Sequence, residues 1–188
     1  VLTSYSYQDT IYLDTSGGSD NGDVSFSLVS DTYGPINLVD GNRVEEDISV
    51  GLYTLTAIKD GSLNYLDVSF SIDINVNQIG QEPFSIINPI DQYDYLQSIT
   101  FDVSGGSGDG DVSFTIPGES LEGNLLAGGP DVGGYTVTVI KDGSLNYLDI
   151  SATFDFSINK ISQALLEPSG VLTSYSYQDT IYLDTSGG

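Results

Sequence analysis

The chain has 188 residues, of which 27 are acidic and 4 are basic, so its formal net charge is −23 at pH 7. Because neutralising phosphates takes many Lys and Arg residues, this balance excludes nucleic acid as a partner and argues against an anionic membrane surface. Cys, His, Met and Trp are absent, which removes thiol nucleophiles, imidazole bases, His-ligated zinc and disulfides. We therefore expect a non-catalytic protein without a cofactor.

Internal repetition organises the chain. Residues 1–18, VLTSYSYQDTIYLDTSGG, recur unchanged as residues 171–188, which sets a period of 170 residues. A shorter period inside it is marked by two pairs of echoes, which are SGGSDNGDVSFS (16–27) with SGGSGDGDVSFT (104–115) and IKDGSLNYLD at 58–67 and 140–149. We expect a unit of half the long period, repeated in tandem.

The spacing of the echoes divides the chain into three units. The first echoes lie 88 residues apart and the second 82, so the stretch from Phe114 to Ile140 is six residues shorter than the stretch from Phe26 to Ile58, as expected of a surface loop. Gln81-Glu82-Pro83 and Leu166-Glu167-Pro168 are predicted to be short, stiff joints, because proline lacks a donor and favours an extended predecessor. The predicted units are 1–82, 83–167 and 168–188, the last being the opening strands of a third unit in a longer array.

Alternation of apolar and polar residues predicts the strands. In the first unit the residues predicted to face the core are, in chain order, Ile11, Leu13, Val24, Phe26, Leu28, Tyr53, Leu55, Ala57 and the series Leu66, Val68, Phe70, Ile72, Ile74 and Val76. In the second unit they are Ile99, Phe101, Tyr135, Val137, Val139 and the series Leu148, Ile150, Ala152, Phe154, Phe156 and Ile158. Each closing series is predicted to be the last strand of a module.

Glycine, aspartate and serine separate these short strands. Lys59-Asp60-Gly61-Ser62 is predicted to be a turn in which Gly61 takes a positive φ. No segment has a helical period. The pattern predicts an all-β fold, consisting of tandem immunoglobulin-like antiparallel β-sandwiches.

Two runs of the second unit, GGSGDGDVSFTI and GGYTVTVIKDGSLNYLDISATFDFSINK, resemble the bacterial Ig-like tandem-repeat domains of very long cell-surface adhesins and extracellular fibres. The resemblance covers both complete units. It implies a sandwich fold, an extracellular or cell-surface location and service as a spacer, stalk or binding tip without a shared active site. The chain departs from the pattern where Gln78 replaces the closing lysine, Lys160, and in the lengths of its middle loops.

Acidic residues in two glycine-rich turns are the candidate metal ligands. Asp20 and Asp23 lie in the first turn, and Asp109 and Asp111 lie in the second. Calcium takes several converging oxygen ligands from flexible loops, but GGSGDGD misses the repeat-in-toxin spacing and no EF-hand glutamate follows. Ordinary hairpin turns are the favoured interpretation, and bound calcium is the alternative.

Tyrosines are the candidate contact residues. Tyr65 and Tyr147, in the repeated LNYLD, are expected to pack at the end of the sandwich. The tyrosines of the opening segments YSY and YDY are expected to be more exposed and to contact a neighbouring module in preference to a glycan; they are Tyr5, Tyr7, Tyr93 and Tyr95.

Lys59 and Lys141 raise the question of an intramolecular isopeptide bond, which needs the amine buried beside a protonated carboxyl group. Both lysines precede Asp-Gly in a predicted turn. A solvated turn lysine is therefore the favoured interpretation.

Two functions remain open. The favoured one is a structural module of a long extracellular fibre, acting as stalk or filament wall, whose partners are neighbouring identical repeats in the same chain or in laterally packed chains. The alternative is an adhesin array that binds a glycan or surface partner multivalently. The strand-rich segment 171–188 suggests pairing by β-augmentation, and no apolar run is long enough to enter a membrane.

Overall fold

The computed structural model of the protein describes residues 2–45, 48–87, 89–165, 167–169, 174–180 and 184–186. Every element of regular secondary structure in these ranges is a β-strand. The described residues contain no helix that is long and apolar enough to span a membrane. The predicted all-β class is confirmed.

In the described residues of the first predicted unit (1–82, called repeat one below), seven strands form a sandwich. They are β1 (Ser4–Ser6), β2 (Ile11–Tyr12), β3 (Val24–Ser30), β4 (Gly34–Ile36), β5 (Arg43–Val44), β6 (Gly51–Lys59) and β7 (Val68–Asn77). One sheet has the order β1-β7-β6-β3-β4, and the pair of β2 with β5 packs against it. The core between these layers contains Ile11, Leu13, Leu28, Val44, Ile48, Tyr53, Leu55, Ile74 and Val76.

The described residues of the second predicted unit (83–167, called repeat two below) contain eight strands. They are β8 (Phe84–Ile86), β9 (Gln92–Asp94), β10 (Ile99–Thr100), β11 (Val103–Gly105), β12 (Val112–Thr115), β13 (Leu125–Leu126), β14 (Gly133–Lys141) and β15 (Ile150–Asn159). One sheet has the order β12-β14-β15-β9, and β10 with β13 and β8 with β11 form two further pairs. The core contains Tyr93, Ile99, Phe101, Ile116, Leu126, Val137, Phe156 and Ile158.

One strand pairing in each module is parallel, within sandwiches whose other strand pairings are antiparallel as predicted. Tyr5 of β1 lies opposite Val76 of β7, and Tyr93 of β9 lies opposite Ile158 of β15. The other strand pairings among the described residues are antiparallel. Because the first segment of a module runs in the same direction as its last strand, the chain enters at one end of the sandwich and leaves at the other.

The predicted alternation is confirmed in most strands, but it is wrong for the first half of the last strand of repeat one. Ile74 and Val76 are buried there, whereas Leu66, Val68 and Phe70 are 93%, 54% and 65% exposed. The prediction is also wrong for Val24 of repeat one and for Leu148 of repeat two, which are 41% and 51% exposed. In repeat two, β8 lies in contact with the last strand, β15. The described part of repeat one has no counterpart of β8, so this half of its apolar face stays uncovered.

The third unit begins as repeat two does. Strand β16 (Glu167–Ser169) pairs with β17 (Asp184–Ser186). The turn before β17 also repeats the first one, since Gln8 and Gln178 have φ values of 72° and 78°. The turn closed by Asp9 N and Ser6 O therefore recurs at Asp179 N and Ser176 O, although residues 4–6 form β1 and residues 174–176 form no strand.

Candidate inter-repeat interface

The two DGSLNYLD loops, residues 60–67 and 142–149, share one internal structure. Each is closed by a backbone hydrogen bond, from Ser62 N to Tyr65 O at 2.9 Å and from Ser144 N to Tyr147 O at 3.0 Å. Gly61 does not adopt the predicted positive φ. Glycine is needed there because a Cβ atom would collide with the Tyr65 carbonyl oxygen.

An aspartate completes each loop. Asp67 Oδ1 accepts a hydrogen bond from Gly61 N at 2.8 Å, and Asp149 Oδ1 accepts one from Gly143 N at 2.7 Å. The loop of repeat two contacts repeat one, whereas the loop of repeat one has no neighbouring module in the described chain. The loop is therefore already in its contact conformation before it meets a partner, which lowers the entropy cost of docking.

Gln81 connects the two repeats. The two N–H groups of its side-chain Nε2 are shared among three carbonyl oxygens of repeat two, those of Lys141 (3.3 Å), Asp142 (3.1 Å) and Leu148 (2.8 Å). Its Oε1 accepts a hydrogen bond from Ser107 N at 3.0 Å. One amide side chain therefore uses both its donor and its acceptor side to fix the start of repeat two.

A second set of hydrogen bonds surrounds Asn146. Its Oδ1 accepts from Val50 N at 2.9 Å, and its backbone oxygen accepts from Ile79 N at 3.2 Å. Ile79 O in turn accepts from Leu148 N at 2.9 Å. Gln78 Nε2 donates to the Ser144 carbonyl oxygen at 2.8 Å. These contacts join the exit end of repeat one to the loop at the entry end of repeat two.

An aromatic pair closes the interface. The Tyr7 and Tyr147 rings meet edge to face, with their centroids 5.5 Å apart. The Gln8 amide donates to the Tyr147 hydroxyl at 3.4 Å. Tyr147 therefore contacts the preceding module instead of only packing on its own sandwich. Its counterpart Tyr65, which has no such neighbour here, is 51% exposed.

The other three candidate tyrosines are packed within their own modules. Tyr93 is only 8% exposed and belongs to the core of repeat two, where burial raises its pKa. Tyr5 and Tyr95 are partly buried against the cores of repeats one and two. The expected greater exposure is therefore not found for these side chains.

The four candidate aspartates belong to turns in two different modules. The Ser62 hydroxyl and then the Gly22 N–H, which lies 3.1 Å from Oδ1, lower the pKa of Asp20, and Lys59 adds a smaller attraction. The backbone oxygens of Asp23 and Asp111 accept hydrogen bonds from Asp60 N and Asp142 N. In the described ranges, no three acidic side chains converge to hold a metal ion, and Asp109 belongs to no such group.

The two candidate lysines lie over the glycine-rich turns. The stem of Lys59 packs beside Gly18 and that of Lys141 beside Gly106. Lys141 Nζ donates to the Gly110 carbonyl oxygen at 3.4 Å. This geometry places a carbonyl, not a carboxyl group, beside the Lys141 amine.

Sequence reasoning missed Gln78, Gln81 and Asn146 as interface residues. The sequence does contain one indication of a role for Gln81, because it recurs as Gln163 at the same 82-residue offset that relates Lys59 to Lys141. A polar residue in a linker does not reveal its partners, however, because they lie about 60 positions away in the chain.

No protein-family model and no curated protein matches this chain. Among solved structures it is similar to fibronectin(III)-like modules of CbhA from Clostridium thermocellum (14% identity, TM-score 0.35), with 84% of this chain and 89% of that chain covered. It is also similar to human Protocadherin-24 EC1-2 (10%, TM-score 0.39, 86% and 95% covered) and Drosophila N-cadherin EC1-4 (11%, TM-score 0.40, 85% and 47% covered). None of these three is a bacterial adhesin repeat, so the resemblance to that family stays a prediction.

Proposed function

We propose that this chain is a non-catalytic structural module of a long, repetitive extracellular fibre, in which it acts as a stalk. The observation that carries the proposal is the hydrogen-bonded joint at Gln81. A linker whose side chain is held by Leu148 O, Asp142 O and Ser107 N fixes the direction of one module relative to the next. A fixed direction at each joint is what a rod of stacked modules requires.

The path of the chain through each module supports a single-file arrangement. The first segment of a module runs in the same direction as its last strand, so entry and exit lie at opposite ends. The charge of −23 makes neighbouring rods repel each other, which favours separate stalks over laterally packed walls. The extracellular location belongs to the proposal and rests on the acidic, repetitive sequence.

Electron microscopy of the native material tests the stalk. A fibre one sandwich wide with a beaded axial repeat is the expected result. A wider, helically ordered fibre would overturn the stalk and make lateral packing between repeats the function.

Multivalent adhesion is the competing function, with a glycan as the candidate ligand. Stacking on sugar rings needs exposed aromatic faces, and two of the candidate tyrosines do not offer them, because Tyr93 is buried and Tyr7 lies against Tyr147. Glycan-array binding by the 188-residue chain is expected to be absent. Specific binding that is lost in a Tyr65→Ala variant would favour adhesion instead, since Tyr65 is half exposed.

A further inference from the structure

We propose that repeat one carries an open strand site that is filled by residues 163–169 of the preceding copy of the 170-residue repeat in the same chain. The strand site is the groove lined by Thr15, Ser16, Val24, Ala57, Val68 and Phe70. This inference rests on the proposed function, because it requires the repeats to stand in a tandem array.

Repeat two shows the same site when it is filled. There β8 pairs with β11 and contacts β15, and Phe84 is 8% exposed. Val139, on the neighbouring strand β14, is fully buried, whereas Ala57 at the corresponding position of repeat one is partly exposed. Phe70 is 65% exposed. The groove of repeat one therefore exposes apolar surface of the kind that β8 helps to cover in repeat two.

Gly105 of repeat two and its counterpart Gly17 of repeat one differ in what lies beside them. A Cβ atom on Gly105 would collide with the carbonyl oxygen of Pro83, which leads into β8. Gly17 occupies the same place in the SGGS sequence, yet a Cβ atom there would meet nothing within 4 Å. Both glycines have a positive φ, 88° and 106°. The backbone of repeat one is thus shaped for a strand that passes close to Gly17.

The backbone donors that are paired in the filled site of repeat two have unpaired counterparts in repeat one. In repeat two, Gly106 N donates to Pro83 O at 3.1 Å and Ser107 N donates to Gln81 Oε1 at 3.0 Å. The same letters stand at Gly18 and Ser19 in repeat one. Within the described ranges, neither of these two backbone N–H groups has a hydrogen-bond acceptor. They are the donors that an incoming strand would pair.

The occupant is identified by a pairing that the chain itself makes. β16 pairs with β17, and β17 has the same sequence as residues 14–16, which border the strand site of repeat one. The register also matches repeat two, because Glu167 lies opposite Ser186 as Ser85 lies opposite Ser104. Since residues 171–188 repeat residues 1–18, the segment ending in Ser169 and Gly170 stands directly ahead of Val1 in a tandem array.

The segment carries the residue types that the site needs. With an offset of 82 residues, Gln163 takes the place of Gln81 and Leu166 takes the place of Phe84. Gln163 would then bridge Lys59 O, Asp60 O and Leu66 O, the counterparts of the three acceptors of Gln81. In the described chain Gln163 is exposed and Leu165 is 89% exposed.

The rest of the exit end of repeat two complements the free loop of repeat one. Lys160 stands in the place of Gln78, and its ammonium group is again a donor for a loop carbonyl. Val132 stands in the place of Val50 and offers a backbone N–H to Asn64. Tyr95 takes the place of Tyr7 and would meet Tyr65. The joint between copies therefore repeats the joint within a copy.

The test extends the full chain at its N-terminus by a second copy of residues 159–170, placed directly ahead of Val1. We expect the thermal midpoint of repeat one to rise by roughly 5 °C and amide exchange at Gly18 and Ser19 to slow by about tenfold. The control carries Gln163→Ala and Leu166→Asp in the added segment only, and it should behave as the unextended chain. An extension without effect on either readout would overturn the proposal.

A Gly17→Ala variant separates strand docking from general stabilisation. In the extended chain this substitution should lower the midpoint clearly more than in the unextended chain, because the new Cβ atom would meet the docked segment. An equal effect in both chains would contradict docking at this site. A concentration-dependent dimer of the unextended chain, abolished by the extension, would assign the site to a second chain and overturn the same-chain occupant. Each outcome is independent of fibre width in electron microscopy, which tests the stalk separately.

Discussion

Asn146 Oδ1 accepts a hydrogen bond from the backbone N–H of Val50 at 2.9 Å, although the two residues lie in different modules and 96 positions apart. Asn64 has the same place in the identical loop of repeat one and is exposed. The asparagine of the repeated loop is therefore an interface residue in repeat two and a solvated residue in repeat one, so Asn64 serves as an internal control for Asn146.

We expect Asn146→Ala to weaken the coupling between the repeats by about 1 kcal/mol, because it leaves the partly buried Val50 N–H without an acceptor. Asn64→Ala should change the free energy of unfolding by less than about 0.5 kcal/mol. Urea unfolding of both variants, followed by separate probes in each repeat, measures the difference. Equal effects would show that Asn146 does not couple the modules.

Gln81→Ala should loosen the joint. The substitution removes an amide that serves three carbonyl oxygens and the Ser107 N–H, at a cost of about 1 to 3 kcal/mol. Small-angle X-ray scattering should then show a broader distribution of distances between the repeats. Gln163→Ala is the matched control, because Gln163 is exposed in this chain, and an unchanged scattering profile for Gln81→Ala would contradict a fixed joint.

Gly105→Ala should destabilise the chain more than Gly17→Ala does. Both substitutions place a side chain at positive φ, which costs about 1 to 2 kcal/mol. Only at Gly105 does the new Cβ atom also collide with the Pro83 carbonyl oxygen, which adds about 1 to 3 kcal/mol of strain. Thermal unfolding of the two variants measures the difference in stability. Equal midpoint shifts would show that the close approach of Pro83 O to Gly105 has no effect on stability.

The pKa of Asp20 is lowered first by the Ser62 hydroxyl and then by the Gly22 N–H. A carboxyl group with a lowered pKa contributes stability above its ordinary pKa of about 3.9, and that contribution is lost as the pH falls through the lowered value. Ser62→Ala should therefore raise the pKa of Asp20 in a carbon-detected NMR titration. Ser144→Ala is the control, because the residue near Ser144 is Gly108, which is the counterpart of Asp20 and has no carboxyl group. An identical titration of Asp20 in both variants would exclude the Ser62 contact.

Burial raises the pKa of Tyr53, with a smaller contribution from Tyr33. The protonated Tyr53 hydroxyl therefore stabilises the folded state fully below the ordinary tyrosine pKa of about 10, and this contribution is lost as the pH rises through the raised pKa. Tyr53→Phe also loses the hydrogen bond to Ser49 O at 2.6 Å, so it should be about 1 kcal/mol less stable at pH 7. That deficit should shrink above pH 10, and a constant deficit across the alkaline range would exclude the Tyr53 hydroxyl as its source.

Much of the fold could be predicted because alternation is a local property. Leu28, Tyr53, Leu55 and Val137 stand on the apolar side of their strands, and all four are buried. The same reasoning failed at Leu66, Val68 and Phe70, which alternate correctly but lie exposed. Alternation identifies which side chains share a face, and it says nothing of whether another strand covers that face.

The sequence by itself determined the all-β class, the repeat periods and most of the strands, because each depends on neighbouring or identical letters. Only the tertiary structure decided that Gln81 and Asn146 join the modules and that Tyr93 is buried. It also showed that glycine is needed at position 61 because Tyr65 O lies too close for a Cβ atom. Those features depend on groups distant in the chain that meet only when strands pair. The two DGSLNYLD loops are identical in sequence, yet one is partly covered by the neighbouring module and the other is exposed, since burial depends on what packs against a residue as well as on the residue itself.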